Sequence, residues 1–178
     1  GGIMHDIGKM LIPEDILNKA GSLTDFEYQV MKNHSELGFD YLQELNTISP
    51  VSRIMVLSHH ERVDGTGYMR GKKKDEIHEF ARIAAIADVF DALTSDRVYR
   101  DRWPTYKAAE YIMNNTETLF DYNLVKKLMP KISFFPNGTE VILSNGKKGL
   151  ILSQNTGFPT RPIVRLIEDE DGNEIEDE

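Results

Sequence analysis

Asp88 sits inside an apolar run, Ile83-Ala84-Ala85-Ile86-Ala87-Asp88-Val89-Phe90, and any fold of this chain has to account for it. A carboxylate in such surroundings is costly to desolvate unless it is paired, protonated or bound to a cation. Four of the five histidines raise the same difficulty, because they fall where a helical core would otherwise place apolar residues. His34 lies in a stripe of Phe26, Val30, Leu37, Tyr41 and Leu45 spaced by three and four, and His59 follows Met55 by four residues. A single inward histidine is usually a hydrogen-bonded core residue, and a buried aspartate can pair with an arginine, here Arg82 or Arg97. Those explanations do not cover the coincidence of several such positions with adjacent His5-Asp6 and His59-His60 pairs. Imidazoles and carboxylates that reach inward from several helices hold divalent metals in helical folds. An adjacent His-Asp pair suits a centre of two ions, since the carboxylate can bridge them while the imidazole binds one.

The pattern is helical from Gly1 to about Lys131. Ile3 to Asp6 reads as the last turn of a helix stopped at Gly8, and Pro13 opens a short helix from Glu14 to Lys19 that Gly21 ends. Thr24-Asp25-Phe26-Glu27 is a capping box and starts the helix that carries the His34 stripe. Ser49-Pro50 opens another helix leading to His59-His60, Asp64-Gly65-Thr66-Gly67 is a loop, and a long helix runs roughly from Asp75 to Thr94. Pro104 precedes one or two further helices up to Met129-Pro130. Beyond Ser133 the character changes. Thr139–Leu143 and Gly149–Leu152 flank Asn145-Gly146, a hairpin signal, and Ile163–Ile167 gives a third strand before an Asp171-Gly172 turn. Glu168 to Glu178 is mostly acidic and reads as a solvated or frayed end. The fold class is therefore mainly α, a helical bundle with a small C-terminal antiparallel β appendage.

A formal net charge of −8 argues against a nucleic-acid polymer as partner, which needs a basic face. The chain lacks cysteine, which removes disulfides and thiolate chemistry, and it has no apolar run of the roughly 18 residues a membrane span requires. It opens Gly1-Gly2-Ile3-Met4 and reads as a piece of something longer or as a chain that carries a tag.

The segment His5-Asp6-Ile7-Gly8-Lys9 resembles the HD signature of metal-dependent phosphohydrolases. Ile12-Pro13, Ile16-Leu17-Asn18-Lys19, Lys32-Asn33-His34 and His59-His60-Glu61 extend the likeness. So do Asp64-Gly65-Thr66-Gly67-Tyr68 and Ile86-Ala87-Asp88-Val89-Phe90-Asp91-Ala92-Leu93-Thr94-Ser95, and the ordered set resembles the HD-GYP subfamily from Ile3 to about Ala109. The segments Phe135-Pro136-Asn137-Gly138-Thr139 and Arg161-Pro162-Ile163-Val164 are similar to what often follows that domain.

The resemblance implies an HD-GYP-like helical phosphohydrolase domain over residues 1–131 and a β appendage with an acidic tail over 132–178. It implies an enzyme that hydrolyses the bacterial second messenger cyclic di-GMP to linear pGpG, and in some members to GMP. The cofactors it implies are two or three divalent ions, iron or manganese. Carried over position by position, His5, Asp6, His34, His59, His60 and Asp88 match metal ligands, with Asp6 the bridge and a catalytic residue. Lys9 matches the residue that neutralises the scissile phosphate, Arg97 and Arg100 match cations that clamp the substrate phosphates, and Gly67 and Tyr68 lie in a loop tied to substrate access. For Lys9, Arg97 and Arg100 the plainer reading is solvated surface charge. The implied partners are an N-terminal sensor or receiver domain and a GGDEF-type protein engaging the Gly67-Tyr68-Met69 loop, in the cytoplasm.

Two features depart from the family pattern. Met69 replaces the proline of the GYP tripeptide and cannot impose proline's fixed backbone angle, so a looser loop is expected. Only four residues precede His5, so a further upstream ligand helix is absent from this stretch, and fewer metals with weak or no activity are expected of it. Two other readings stay open: an HD phosphohydrolase for another cyclic dinucleotide or nucleotide, and a non-catalytic module that senses a nucleotide or engages a partner.

Overall fold

The computed structural model describes residues 1–96, 101–155, 158 and 161–175. Among the described residues, seven α-helices precede a three-stranded antiparallel sheet, which is the mainly α architecture expected. The helices are α1 (Glu14–Leu17), α2 (Asp25–Lys32), α3 (His34–Gln43), α4 (Pro50–Ser58), α5 (Glu79–Thr94), α6 (Thr105–Asn114) and α7 (Tyr122–Leu128). Short 3₁₀ turns cover Gly2–Met4, Ile7–Leu11, Lys74–Glu76 and Met129–Lys131.

The local signals act as their chemistry requires at several ends. The Thr24 hydroxyl accepts from the Glu27 N–H while the Glu27 carboxylate accepts from the Thr24 N–H, a complete capping box. Pro50 occupies the first turn of α4, where its missing N–H has no intrahelical partner to lose. Asp121 caps α7 by accepting from the Asn123 and Leu124 N–H groups. Its other oxygen pairs with Arg82 at 2.5 Å, so Arg82 is engaged there rather than with Asp88.

Four expectations are corrected. Ile3 to Asp6 does not end a helix at Gly8; Gly8 lies inside the second 3₁₀ turn, where the backbone of α3 comes very close. The stripe through His34 is not one helix face, because the chain breaks at Asn33 between α2 and α3. Phe26, Tyr41 and Leu45 are exposed, and the face that α3 buries is His34, Ser35, Gly38 and Leu42. The helix containing Asp88 starts at Glu79 rather than near Asp75, because Ile77 is extended and fully buried and His78 caps the N-terminus by accepting from Phe80. The tail expected to be solvated or frayed is exposed over residues 170–175, but this part turns back on the strand: Ile175 donates to Ile167 and Asn173 to Asp169.

The main core gathers Ile86 of α5, Ala109 and Ile112 of α6, Phe120, Val125 of α7, Met129 and Phe134. A second layer packs α3 on α4 and on the Ile7–Leu11 turn, with Leu42 and Val56 buried. The strands β1 (Glu140–Ile142), β2 (Lys148–Ser153) and β3 (Ile163–Glu168) run in sequence order, with Glu140 opposite Leu150 and Ile142 opposite Lys148. The Asn145-Gly146 turn joins the first two, and Gly146 takes a φ of 84°, which a glycine reaches without strain. Tyr106 stacks on Phe135 at 5.6 Å, and Gln154 donates to the Phe135 carbonyl at 2.6 Å, tying the sheet to α6.

Candidate metal centre

Five histidine and aspartate side chains come from the ends of short elements, and a sixth comes from the middle of α5. His5 and Asp6 lie between the first two 3₁₀ turns, His34 opens α3, His59 and His60 directly follow α4, and Asp88 lies on α5. One local device sets three of the imidazoles. His5 Nδ1 donates to the Gly2 carbonyl at 2.7 Å, His34 Nδ1 to Met31 at 2.8 Å and His59 Nδ1 to Val56 at 2.7 Å. Each acceptor is the carbonyl three residues back, in the turn or helix end that precedes the histidine. A carbonyl can only accept, so the proton sits on Nδ1, and at His34 and His59 the Nε2 lone pair is left to point inward.

The inward atoms converge. Asp6 Oδ1 lies 3.3 Å from His34 Nε2 and 4.0 Å from His59 Nε2, while Asp6 Oδ2 lies 3.3 Å from His5 Nε2 and 2.6 Å from Lys9 Nζ. Asp88 offers Oδ1 to His5 at 3.5 Å and Oδ2 to His60 at 4.0 Å. Asp6, His34, His59 and His60 place one donor atom each within 4.8 Å of one another, a group that can hold a metal ion. His34 and His59 bring their Nε2 atoms to 3.4 Å, with the Ser35 hydroxyl 3.3 Å from His34 Nε2, so two lone pairs approach one another there. That contact is repulsive with nothing beside it and favourable with a cation, so the donor set suits a divalent metal.

Charge is arranged in the same sense. Burial lowers the pKa of His34, His59 and His60, bringing His59 down to about 4, so these three imidazoles are neutral near pH 7. Burial opposes ionisation of Asp6 and Asp88, but the hydrogen bonds from His5, joined at Asp6 by Lys9, outweigh it and hold both carboxyls below the usual range. Hydrogen bonds to Asp6 and Asp88 push His5 up to about 10. A protonated His5 thus occupies the space between the carboxylates, and an ion bound there displaces its proton.

The remaining sequence candidates fall into different places. Lys9 stands at the rim, paired with Asp6 and about two-fifths exposed. A side chain on Gly67 would collide with the backbone of His60, Glu61 and Arg62, so this glycine serves a close approach of the loop. Tyr68 stacks on His60 at 4.6 Å. Arg97 and Arg100 lie outside the described residues. Asp91 is exposed and accepts from the Ser95 hydroxyl, a local bond at the end of α5. Clefts of about 680 Å³ beside Arg82 and Asp121 and about 600 Å³ beside the sheet contain none of the histidines. Donor chemistry rather than cavity size therefore marks the centre.

Sequence reasoning assigned no role to Glu61. It is buried, and its two oxygens accept from the Arg70 N–H at 2.8 Å and the Lys72 N–H at 3.0 Å, closing the loop that carries Tyr68. A carboxylate between a histidine pair and a glycine-rich loop was the signal for it. In Glu61→Gln one acceptor becomes an amide donor facing a backbone N–H, at a cost of about 1–3 kcal/mol. The urea midpoint is expected to fall accordingly; an unchanged midpoint would show that the loop is held by other contacts.

The comparisons agree with the geometry. The family model described as HD domain matches residues 1–124, and one described as KOW domain associated with HD domain matches residues 140–178. The chain belongs to the HD-domain family. It is 39% identical over 167 residues to a cyclic di-GMP phosphodiesterase of Pseudomonas aeruginosa, covering 93% of this chain and 40% of that protein. It is 38% identical over 127 residues to 3'3'-cGAMP-specific phosphodiesterase 2 of Vibrio cholerae, covering 71% of this chain and 24% of that protein. The chain thus spans well under half the length of these relatives. A solved HDG"Y"P protein from Bdellovibrio bacteriovorus shares the fold, with a TM-score of 0.54 and 20% identity over 70% of this chain and 39% of that one. Among the described residues, no helix is long and apolar enough to cross a membrane.

Proposed function

We propose that this chain carries the active centre of a metal-dependent phosphodiesterase that hydrolyses cyclic di-GMP. The observation that carries the reading is the convergence of Asp6, His34, His59 and His60 on one point, in a chain of the HD-domain family whose relatives are named cyclic dinucleotide phosphodiesterases. In this reading residues 1–131 are an HD-GYP-like helical domain and 132–178 a β appendage. His5, Asp6, His34, His59, His60 and Asp88 would hold two or three divalent ions, iron or manganese, with Asp6 the carboxylate they would share. Such ions supply Lewis acidity toward the phosphate and make the attacking water more acidic.

Hydrolysis joins the water oxygen to phosphorus, breaks one P–O3′ bond and leaves the proton on the 3′ oxygen, giving linear pGpG; repetition at the second phosphate gives GMP. Lys9, anchored at the rim by Asp6, offers its ammonium to a non-bridging phosphate oxygen. Arg97 and Arg100 clamp the phosphates, and Gly67 and Tyr68 border the substrate. The protein works in the cytoplasm under an N-terminal sensor or receiver domain, with a GGDEF-type partner at the Gly67-Tyr68-Met69 loop.

The test is incubation of the full-length protein, loaded with manganese or ferrous iron, with cyclic di-GMP. Chromatography is expected to show pGpG. No hydrolysis with any divalent metal overturns the reading. The Vibrio cholerae relative favours one second reading, a substrate carrying one adenine. Faster turnover of 3'3'-cGAMP than of cyclic di-GMP in parallel would select it.

A further inference from the structure

Beyond His60 the centre is bordered by aromatic rings and one lysine. Tyr68 stacks on His60 with planes inclined by 25°. The Lys32 ammonium lies 5.7 Å from the Tyr68 ring centroid and 5.0 Å from that of Tyr28. Tyr28 and Lys32 are four residues apart on α2 and so share a face. Tyr68 belongs to the loop after α4, so its meeting with Lys32 is a tertiary contact rather than a product of helix spacing. Lys9, Lys19, Lys74 and Lys148 each meet a carboxylate. Among the described residues Lys32 meets the two rings and no carboxylate, and such rings attract a cation through their electron-rich faces.

We propose that Tyr28, Lys32 and Tyr68 form a subsite for a base of the bound dinucleotide, and that Lys32 selects guanine over adenine. The proposal rests on the phosphodiesterase reading for the identity of its ligand. The stacking distances place the ammonium within one nucleotide's reach of His60, so a phosphate at the centre brings its own base to this border. Tyr28 is 49% exposed, which leaves part of its ring for stacking beside the Lys32 ammonium, and stacking is indifferent to the base. Selection then falls to Lys32. Guanine presents two acceptors side by side, O6 and N7, whereas adenine presents N7 beside an amino donor. An ammonium has three donors and no acceptor, so it satisfies the guanine edge and opposes the adenine amino group.

The experiment compares binding of non-hydrolysable phosphorothioate analogues of cyclic di-GMP and cyclic di-AMP to the manganese-loaded full-length protein, by titration calorimetry at one salt concentration. The parent is expected to prefer the guanine analogue by about 10-fold, Lys32→Met to shrink that ratio to about 2-fold, and Lys32→Arg to retain it. Tyr28→Ala is expected to weaken both analogues alike, by about 10-fold. A Lys32→Met protein that binds both analogues more weakly with the ratio intact overturns the proposal, since the ammonium would then serve a phosphate. A parent that binds neither analogue, or a variant with unchanged affinities, overturns it as well. Selectivity that depends on Lys32 in a protein that hydrolyses nothing keeps the subsite and sinks the enzymatic reading. Brisk hydrolysis with selectivity indifferent to Lys32 does the reverse.

Discussion

Asp6→Asn is expected to lower turnover of cyclic di-GMP by about 1,000-fold or more, equivalent to about 4 kcal/mol of lost transition-state stabilisation. The residue touches both halves of the centre, with one oxygen 3.3 Å from His34 and the other 3.3 Å from His5 and 2.6 Å from Lys9. Asparagine keeps the shape but has one acceptor, and its amide nitrogen must face either Lys9 and protonated His5 or the histidine pair. It also removes the negative charge that a divalent ion needs between neutral imidazoles. Bound metal, measured by elemental analysis, should fall by at least one ion per chain. The metal-free variant also loses the bonds from protonated His5 and Lys9, so it should melt below the metal-free parent, and bound metal is the readout that separates the two effects. A variant with the full metal complement and parental turnover would remove Asp6 from the centre.

Gly8→Ala is expected to destabilise the chain by about 3 kcal/mol, the upper part of the range for overpacking. For a chain of this size that is a fall in Tm on the order of 10 °C. A β-carbon on Gly8 would lie 1.9 Å from the His34 carbonyl oxygen and 2.5 Å from the Gly38 nitrogen. Both are backbone atoms of α3, so no rotamer change relieves the clash and the helix has to move. Because His34 rides on that helix, metal affinity should fall with stability. A parental melting curve would show that α3 does not pack as closely on the Ile7–Leu11 turn as its geometry implies.

Much of this was legible in the sequence because the signals were local. The Thr24–Glu27 box and the Asn145-Gly146 turn depend on a few adjacent residues and formed as read. The break at Asn33 was invisible for a physical reason. Spacings of three and four persist across a one-residue interruption, so periodicity alone drew one stripe where there are two helices. The same blindness made Phe26, Tyr41 and Leu45 look buried, since apolar character does not say which face a neighbouring element covers. The histidine and aspartate positions stood out as ionisable groups in apolar company, and the structure brings them together. Glu61 and Lys32 lay within the quoted motifs but gained no role, because their partners are backbone amides and rings from other segments, which composition cannot anticipate.

The bonds from His5, His34 and His59 to the carbonyls three residues behind them make coordination and helix termination a single equilibrium. An imidazole keeps its aim only while the turn behind it stays wound, and a bound ion that fixes the ring also holds that turn shut. Fraying at the end of α2 or α4 would then loosen the hold of His34 or His59 on an ion bound there. Agents that loosen helix ends should strip the metal while the core around Ile112 and Phe120 is still folded.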